Sequence, residues 1–246
     1  MHSLMAELKL TAWIGWTGES ALAYEVCKAS LLANATIPVD VRPLRHWELR
    51  NAQLYRRPYA VMADGQRIDA VDHTPFSTDF SFTRFLVPAL EGFADKWVLY
   101  CDNDMLWLDD VAKLLEDVLL RNHTWAMACV KHDHAPPANK KMVGYVQTSY
   151  RRKNWSSLMM MNPEKCAYLS VDKVNEATGS WLHGLEFVED HQIGTLDPRW
   201  NVLYGIQSHP DPAVVHFTNG TPDMPFAMLN GSQYERIWRA CAGRIA

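Results

Sequence analysis

The chain has 246 residues, of which 48% are hydrophobic and 21% are charged, and its formal net charge is −4. This composition is typical of a globular protein with a substantial core, and the negative balance does not favour a nucleic-acid partner. No run of about 18 apolar residues would span a membrane, and residues 1–10 lack the apolar stretch of a signal peptide. We therefore expect no transmembrane segment and no nucleic-acid partner.

The five cysteines are widely spaced and include no Cys-x-x-Cys pair. This spacing argues against a disulfide framework and against a zinc ribbon. We expect the cysteines to be small buried hydrophobic residues in a reducing compartment, which agrees with a cytoplasmic location.

The N-terminal part of the chain predicts a strand, a helix and a second strand. Apolar residues dominate 10–16, a turn follows at 17–19, and residues 20–33 carry an apolar stripe at helical spacing. Residues 37–43 favour the second strand. A strand–helix–strand unit of this kind is typical of a parallel α/β sheet.

Strands and helices continue to alternate until about residue 177, which predicts one α/β domain over residues 1–246 with a loop-rich part from about residue 178. We expect an exposed, charged excursion at 63–75. The other predicted elements are a short helix at 47–59, a helix at 80–90, a strand at 97–101, a helix at 108–120 and strands at 125–130 and 157–161.

Two aspartates follow the predicted strand at 97–101 and give the first indication of a functional site. The strand continues into Asp102-Asn103-Asp104, and open α/β sheets bind their ligands at the carboxyl ends of strands. Two carboxylates separated by one residue can bind one divalent cation, and oxygen ligands suit Mg²⁺ or Mn²⁺. Asp and Asn also favour turns, so the tripeptide alone fits a structural turn equally well.

Five segments resemble the motifs of one enzyme family, in the order in which that family has them. The segments are Trp13-Ile14-Gly15-Trp16 continuing to Tyr24, residues 77–88 around Arg84, residues 100–110 around Asp102 and Asp104, residues 190–201 from Asp190-His191-Gln192 to Trp200-Asn201, and Val214-Val215-His216-Phe217-Thr218-Asn219-Gly220. Over residues 12–225 the chain thus resembles the family 8 retaining glycosyltransferases, the glycogenin-like and lipopolysaccharide-galactosyltransferase-like enzymes. Each motif alone is weak, and their common order makes the resemblance specific.

This resemblance implies a Rossmann-like GT-A fold with a mostly parallel central sheet and a DXD metal motif. It implies that Asp102, Asp104 and His216 bind Mn²⁺ or Mg²⁺. It places Arg84 near the donor sugar and diphosphate, and Asp190 and His191 at the reacting centre. The residues that it places at the nucleotide are Trp13, Gly15, Tyr24, Asp102, Asn103, Asp104 and Gly220.

The function implied by the resemblance is retaining, metal-dependent transfer of a hexose from a UDP-sugar to a hydroxyl of a glycan, lipid-linked or small-molecule acceptor. A nucleoside diphosphate leaves with about three negative charges, and a divalent cation between its phosphates would stabilise that charge. Retaining transferases of this kind lack an obvious enzymatic nucleophile, so we expect front-face attack in which the leaving phosphate accepts the proton.

Arg84 stands between Phe82 and Phe85 on an otherwise apolar segment. A guanidinium buried there needs an anionic partner or good acceptors. A diphosphate or sugar hydroxyls would meet this need, and so would a neighbouring carboxylate such as Asp79.

The chain departs from the family pattern at three places, which keeps a second interpretation open. No lysine follows Gly220 within the motif, and the family's Asp-Gln-Asp reads Asp190-His191-Gln192. The family's Phe-Asn-Ala-Gly stretch appears as Asn154-Trp155-Ser156-Ser157, with the asparagine shifted by one position. The alternative is therefore a catalytically inactive nucleotide-sugar or glycan-binding domain of the same fold. The cluster Arg151-Arg152-Lys153 would supply the missing positive charge or form a solvated loop, and its sequence favours the solvated loop.

Two other interpretations of the acidic and histidine-rich segments are not favoured. An Asp-x-Asp phosphohydrolase usually has this motif on its first strand with a threonine after it, whereas here Met105 follows Asp104. His132 and His134 would share one face of an extended segment, but no third zinc ligand lies at a suitable spacing.

Overall fold

A computed structural model of the chain describes residues 8–121, 124–133, 140–141, 145–146 and 152–245. His134 and Arg151 lie outside the described residues. Within the described part, no helix has the length and apolar character needed to cross a membrane. The five cysteines are buried and free, as expected.

The first half of the chain contains seven strands and four helices in the described ranges. In chain order they are β1 (Leu10–Trp16), α1 (Ala21–Asn34), β2 (Val39–Arg45), α2 (His46–Asn51), β3 (Tyr59–Val61), β4 (Arg67–Asp69), β5 (Pro75–Phe76), α3 (Val87–Leu90), β6 (Val98–Cys101), β7 (Met105–Trp107) and α4 (Val111–Arg121). The later elements are β8 (Met127–Cys129), β9 (Lys140–Lys141), β10 (Tyr145–Val146), β11 (Leu158–Met161), α5 (Val171–Glu176), α6 (Gly179–His183), β12 (Ile193–Thr195), β13 (Val202–Leu203), β14 (Val214–His216) and α7 (Gln233–Ala242).

The central sheet has six strands in the order β12-β8-β11-β6-β1-β2. All neighbouring pairs are parallel except the two formed by β11, which runs antiparallel to both β6 and β8. The predicted mostly parallel α/β sheet is therefore confirmed. Because β11 runs in the opposite direction, the residues that precede it lie at the edge where β6 ends.

Strand β6 shows why this part of the sequence forms the centre of the sheet. All four of its residues are buried, which is typical of a strand covered on both faces. Val98 and Tyr100 pack into one hydrophobic cluster, and Leu99 and Cys101 pack into another. Successive side chains of a strand point to opposite faces, so the two clusters cover the two faces of the sheet.

Several predicted elements differ from the structure in extent. The second strand begins at Val39 rather than at residue 37, and the short helix ends at Asn51 rather than at residue 59. The predicted helix at 80–90 is a 3₁₀ turn, Thr83–Leu86, followed by α3. Pro88 lies in the first turn of α3, where its missing N–H costs no helical hydrogen bond.

Three small sheets were not predicted, and one of them is the antiparallel pair of β9 and β10. The segment 63–75 is not an open excursion, because β3, β4 and β5 form an antiparallel sheet there. A second sheet has the order β13-β14-β7. Its strand β7 occupies the residues directly before the predicted helix at 108–120, and the helix itself begins at Val111.

A buried ion pair connects the small β3-β4-β5 sheet to the C-terminal half of the chain. Arg57 and Asp69 are both fully buried, and the Arg57 guanidinium makes bonds of 2.6 and 2.8 Å to the two Asp69 carboxylate oxygens. Arg57 also donates to the carbonyl of Ala177 at 2.5 Å, and Asp69 accepts from the N–H of Asp72 at 3.1 Å. The pair thereby fixes the chain next to Asp72.

We predict that Arg57→Met lowers the free energy of unfolding by about 3–5 kcal/mol, because it leaves the Asp69 carboxylate buried without its charged partner. Urea unfolding followed by circular dichroism measures this change. Adding Asp69→Leu to Arg57→Met removes the unpaired charge and should recover part of the loss. A double variant no more stable than the single one would contradict this account.

Candidate functional site

Three metal-ligating side chains converge where two sheets meet. Asp102 follows β6, Asp104 precedes β7, and His216 is the last residue of β14. Strand β14 pairs with β7 so that His216 lies opposite Met105, and the N–H of Phe217 donates to the carbonyl of Asp104 at 2.9 Å. One ligand atom from each of the three residues lies within 4.8 Å of the others.

Asp102 is held on several sides. Its backbone N–H donates to the carbonyl of Ser157 at 2.8 Å, and its carboxylate accepts from the Tyr100 hydroxyl at 2.7 Å and pairs with Arg84 at 3.0 Å. Burial raises the pKa of Asp102 and the nearby Asp104 adds to this, while Arg84 opposes it. A cation bound between the two aspartates would favour the ionised form of both.

Arg84 belongs to the site rather than to a surface ion pair. Its guanidinium also donates to the carbonyls of Phe80 at 3.0 Å and Ser156 at 2.8 Å. Asp79, the alternative partner, pairs with Arg67 at 3.2 Å. Arg84 therefore links Asp102 to the turn that contains Ser156.

A chain of hydrogen bonds shows that His216 Nδ1 carries a proton. The Ser157 hydroxyl donates to the carbonyl of Asn154 at 2.7 Å, and a carbonyl can only accept. The same hydroxyl oxygen must then accept from the Asn201 amide N–H₂ at 2.9 Å, which directs the Asn201 carbonyl oxygen toward His216. His216 Nδ1 lies 3.0 Å from that oxygen and must donate to it.

The other ring nitrogen of His216, Nε2, faces the carboxylate of Asp104, with 3.2 Å between the two atoms. A proton or a cation between these two atoms stabilises the arrangement. Two carboxylates and one imidazole are suitable ligands for a divalent ion such as Mn²⁺ or Mg²⁺. These three residues therefore fit the metal that the sequence predicts.

The three residues open onto a cavity of about 880 Å³. Asn103, which the resemblance places at the nucleotide, donates from its side-chain amide to the Ser20 hydroxyl at 2.7 Å. Ser20 thereby fixes the residue between the two aspartates. The other polar residues that line the cavity include Thr17, Glu19, Asp72, Arg84, Lys153, Asn154, Ser156, Ser157, Ser180, His183, Glu186, Thr218 and Asp223.

Four of the residues that the resemblance places at the nucleotide do not line this cavity, namely Trp13, Tyr24, Gly15 and Gly220. The indole of Trp13 donates to Glu91 at 2.7 Å, and Tyr24 is buried in the core, where burial raises its pKa to about 12. A Cβ on Gly15 would lie 2.6 Å from the ring of Phe80, which does line the cavity. Gly220 has a φ of +109° in the turn after His216, a conformation that favours glycine.

Asp190 and His191 lie in an exposed 3₁₀ turn, and neither lines the cavity. The carboxylate of Asp190 pairs with Arg152. Arg152 also donates to the carbonyl of Gly184 at 2.7 Å. The catalytic role of Asp190 and His191 stays a prediction. The ion pair with Arg152 connects Asp190 to the turn that contains Lys153.

The cavity wall also contains groups whose role the sequence did not predict. Lys153 is 9% exposed and lines the cavity, so the favoured interpretation of this segment as a solvated loop is wrong for that residue. His183 Nδ1 lies 3.1 Å from the Ser156 hydroxyl. No sequence motif includes His183 or Asp72, which reach the cavity from separate small elements.

A zinc site at His132 has no support within the described residues. There, the one group of three ligating side chains close enough to hold a metal is Asp102, Asp104 and His216. His132 is buried, and its carbonyl accepts from the Trp155 indole at 3.0 Å.

No family model matches the chain. Solved structures with a similar fold include a galactosyltransferase, LgtC, in complex with donor and acceptor sugar analogues, with a TM-score of 0.54, 12% identity and coverage of 96% of both chains. The bifunctional glycosyltransferase WbbM has a TM-score of 0.58 and 12% identity over 96% of this chain, which spans about half (52%) of WbbM. The glycosyltransferase GlyE of Streptococcus pneumoniae has a TM-score of 0.54 and 12% identity, with coverage of 96% of this chain and 60% of GlyE.

These likenesses establish a GT-A glycosyltransferase fold, which confirms the fold class implied by the sequence resemblance. At the level of sequence, Protein CDI of Arabidopsis thaliana is 36% identical over 218 residues, which cover 85% of this chain and 78% of that protein. The chain belongs to the family of Protein CDI.

We predict that Asn201→Leu weakens Mn²⁺ binding about 10- to 100-fold, the usual effect of removing a residue that orients a metal-ligating histidine. Isothermal titration with Mn²⁺ measures the change, and Asn51→Leu on the exposed end of α2 is the matched control. Histidine ¹⁵N spectra should show His216 protonated on Nδ1 in the wild type and a loss of that preference in Asn201→Leu. Unchanged metal affinity and spectra would contradict the hydrogen-bond chain.

The neutral state of His183 predicts a pH dependence of stability. Burial, together with the positive charges of Arg84, Lys153 and Arg57, holds the pKa of His183 well below its usual range. Below about pH 6.5 the unfolded chain therefore binds a proton that the folded chain does not, so stability falls as the pH decreases.

In urea titrations we expect His183→Gln to lose less stability than the wild type when the pH falls from 6.5 to 5.5. The difference is at most about 1.4 kcal/mol per pH unit, the value for one proton. Equal pH slopes for the two proteins would show that His183 is protonated in the folded state.

Proposed function

We propose that this protein is a retaining, metal-dependent glycosyltransferase that moves a hexose from a UDP-sugar to an acceptor hydroxyl. The observation that carries the proposal is the convergence of three metal-ligating atoms within 4.8 Å at the wall of a cavity of about 880 Å³. A cavity of this size accommodates a nucleotide-sugar. The glycosyltransferase fold supports the same reaction class.

Each of the clustered residues has a role that its contacts support. Asp102, Asp104 and His216 would hold the divalent ion, which supplies positive charge against the departing diphosphate. Arg84 holds Asp102 at 3.0 Å and lines the cavity, so it both orients a ligand and adds positive charge beside the donor. Asn103, fixed by Ser20, would contact the nucleotide.

The acceptor side of the cavity offers groups that can bind sugar hydroxyls. Although burial acts to raise the pKa of Asp72, hydrogen bonds from Thr74 and from the N–H of Gly179 hold it below its usual value. Asp72 is therefore an ionised acceptor near the neutral imidazole of His183. We infer front-face attack by the acceptor hydroxyl, with its proton passing to the leaving phosphate oxygen; the acceptor is a glycan, a lipid-linked sugar or a small molecule.

A catalytically inactive nucleotide-sugar or glycan-binding domain is the second candidate. The observation that favours it is the position of Asp190 and His191, which are exposed and do not line the cavity. Such a domain would bind the donor but would not cleave it.

We predict that UDP binds in the presence of Mn²⁺, that EDTA abolishes this binding, and that Asp104→Asn weakens it at least 10-fold because a metal ligand is lost. Isothermal titration of UDP and GDP, each with Mn²⁺ and with EDTA, measures these effects. Asp172→Asn, on the exposed start of α5, is the control for the loss of one carboxylate.

The absence of metal-dependent nucleotide binding would refute the proposal. If binding is found, a screen of UDP-sugar hydrolysis separates the two candidates. Slow hydrolysis that disappears in Asp104→Asn supports the transferase, whereas binding without hydrolysis or transfer supports the inactive domain.

A further inference from the structure

We propose that Lys153 is a donor-binding residue that contacts the terminal phosphate of the bound nucleoside diphosphate. This inference rests on the proposed function and adds to it the residue that would neutralise the leaving group from the protein side.

The charges of the cavity favour a contribution from positively charged protein side chains, in addition to the divalent ion that Asp102 and Asp104 would hold. Its described lining includes the six carboxylates of Glu19, Asp72, Asp102, Asp104, Glu186 and Asp223. Among the same described residues the cationic side chains are Arg84 and Lys153. A nucleoside diphosphate adds about three further negative charges. Without positive charge from the protein, its binding would be opposed by the surrounding carboxylates.

Arg84 is strongly engaged with the protein itself. It contacts the carboxylate of Asp102 at 3.0 Å and the carbonyl of Ser156 at 2.8 Å. This arrangement orients Arg84 toward a metal ligand. Residues 217–235, which follow His216, contain no lysine or arginine. Among the described lining residues, Lys153 is the other cationic side chain, and it comes from a different segment.

The backbone on both sides of Lys153 is built to direct it inward. Arg152 and Asn154 both have a φ of +65°, which is uncommon for residues other than glycine. Such conformations persist where the surroundings impose them, and they cluster at functional sites. Here the turn is held from outside by Arg152, which pairs with Asp190 and lies 5.4 Å over the ring of Trp155.

The other side of the turn is held from within the site. The carbonyl of Asn154 accepts from the Ser157 hydroxyl at 2.7 Å, and the carbonyl of Ser157 accepts from the N–H of Asp102 at 2.8 Å. Lys153 is thus four residues from a direct contact of a metal-ligating residue. Lys153 and Asp102 line the same cavity, so a phosphate bound beside Asp102 would share that cavity with the Lys153 side chain.

The electrostatics of the cavity wall agree with this placement. After the effect of burial, the positive charges of Arg84 and Lys153 both act to lower the pKa of His183. His183 in turn contacts Ser156, which binds Arg84. The fields of the two cations therefore overlap along one wall, where a diphosphate would lie between them.

The test compares a nucleoside diphosphate with its monophosphate in the full-length protein. Isothermal titration with Mn²⁺ gives the affinities of UDP and UMP for the wild type, Lys153→Met, Lys153→Arg and the control Lys28→Met on the exposed face of α1. If the wild type prefers GDP to UDP, GDP and GMP replace them. Thermal unfolding of each variant reports on folding.

We expect Lys153→Met to weaken UDP binding about 10- to 100-fold and UMP binding less than about 3-fold, because a charge-assisted contact to the terminal phosphate is lost. Lys153→Arg should retain most of the affinity, and Lys28→Met should match the wild type. An equal loss of affinity for UDP and UMP in Lys153→Met would overturn the inference, because it would indicate a structural role for Lys153. Unchanged UDP affinity in Lys153→Met would overturn it as well. If the wild type binds no nucleoside diphosphate at all, the proposed function fails first, so the two failures are distinguishable.

Discussion

The turn formed by Asn154 to Ser157 holds the candidate site together. The carbonyl of Ser157 accepts from the backbone of Asp102, and its hydroxyl fixes the Asn201 amide that orients His216. The carbonyl of Ser156 receives Arg84, which pairs with Asp102. Two metal-ligating residues from different sheets are thus positioned by one short segment. A shift of this turn would change the geometry of the metal site and of Arg84 together.

The position of that turn follows from the direction of a single strand. Ligand-binding residues of parallel sheets lie after the strands, at their carboxyl ends. Strand β11 is antiparallel, with Leu158 opposite Cys101 at the end of β6. The residues that precede β11 therefore reach the same edge as the residues that follow β6. This reversal places Lys153 and Asn154 in the cavity beside Asp102, although 50 or so residues separate them in the sequence.

Acidic residues dominate the cavity, and its chemistry depends on added positive charge. His216 Nε2 and the Asp104 carboxylate face each other across 3.2 Å, an arrangement that a cation between them stabilises. Arg84 and Lys153 provide the positive charges of the described wall. Asp190, interpreted from the sequence as a catalytic residue, instead pairs with Arg152 outside this wall. Its contact supports the turn, and a direct catalytic role remains a prediction.

The sequence by itself determined the local elements and the residues that carry strong chemistry. Alternating apolar segments predicted the α/β sheet, and the carboxylates after β6 were identified because strand ends of such sheets bind ligands. His216 and Arg84 were found through the order of motifs, and the structure brings them to Asp102 and Asp104. The predicted helix at 80–90 is a 3₁₀ turn followed by a short helix that contains Pro88. The predicted exposed excursion at 63–75 was wrong, because the segment forms a small sheet that a buried Arg57–Asp69 ion pair holds.

Only the tertiary structure decided which remote residues share the cavity. Lys153, His183 and Asp72 come from a turn, a short helix and the loop between β4 and β5, and nothing in their local sequences indicates that they meet. Asn201 was part of a recognised segment, but its role depends on a chain of hydrogen bonds through Ser157 to Asn154. Periodicity and motifs report on neighbours along the chain, whereas these contacts arise from strand direction and sheet pairing, which single-residue patterns do not encode.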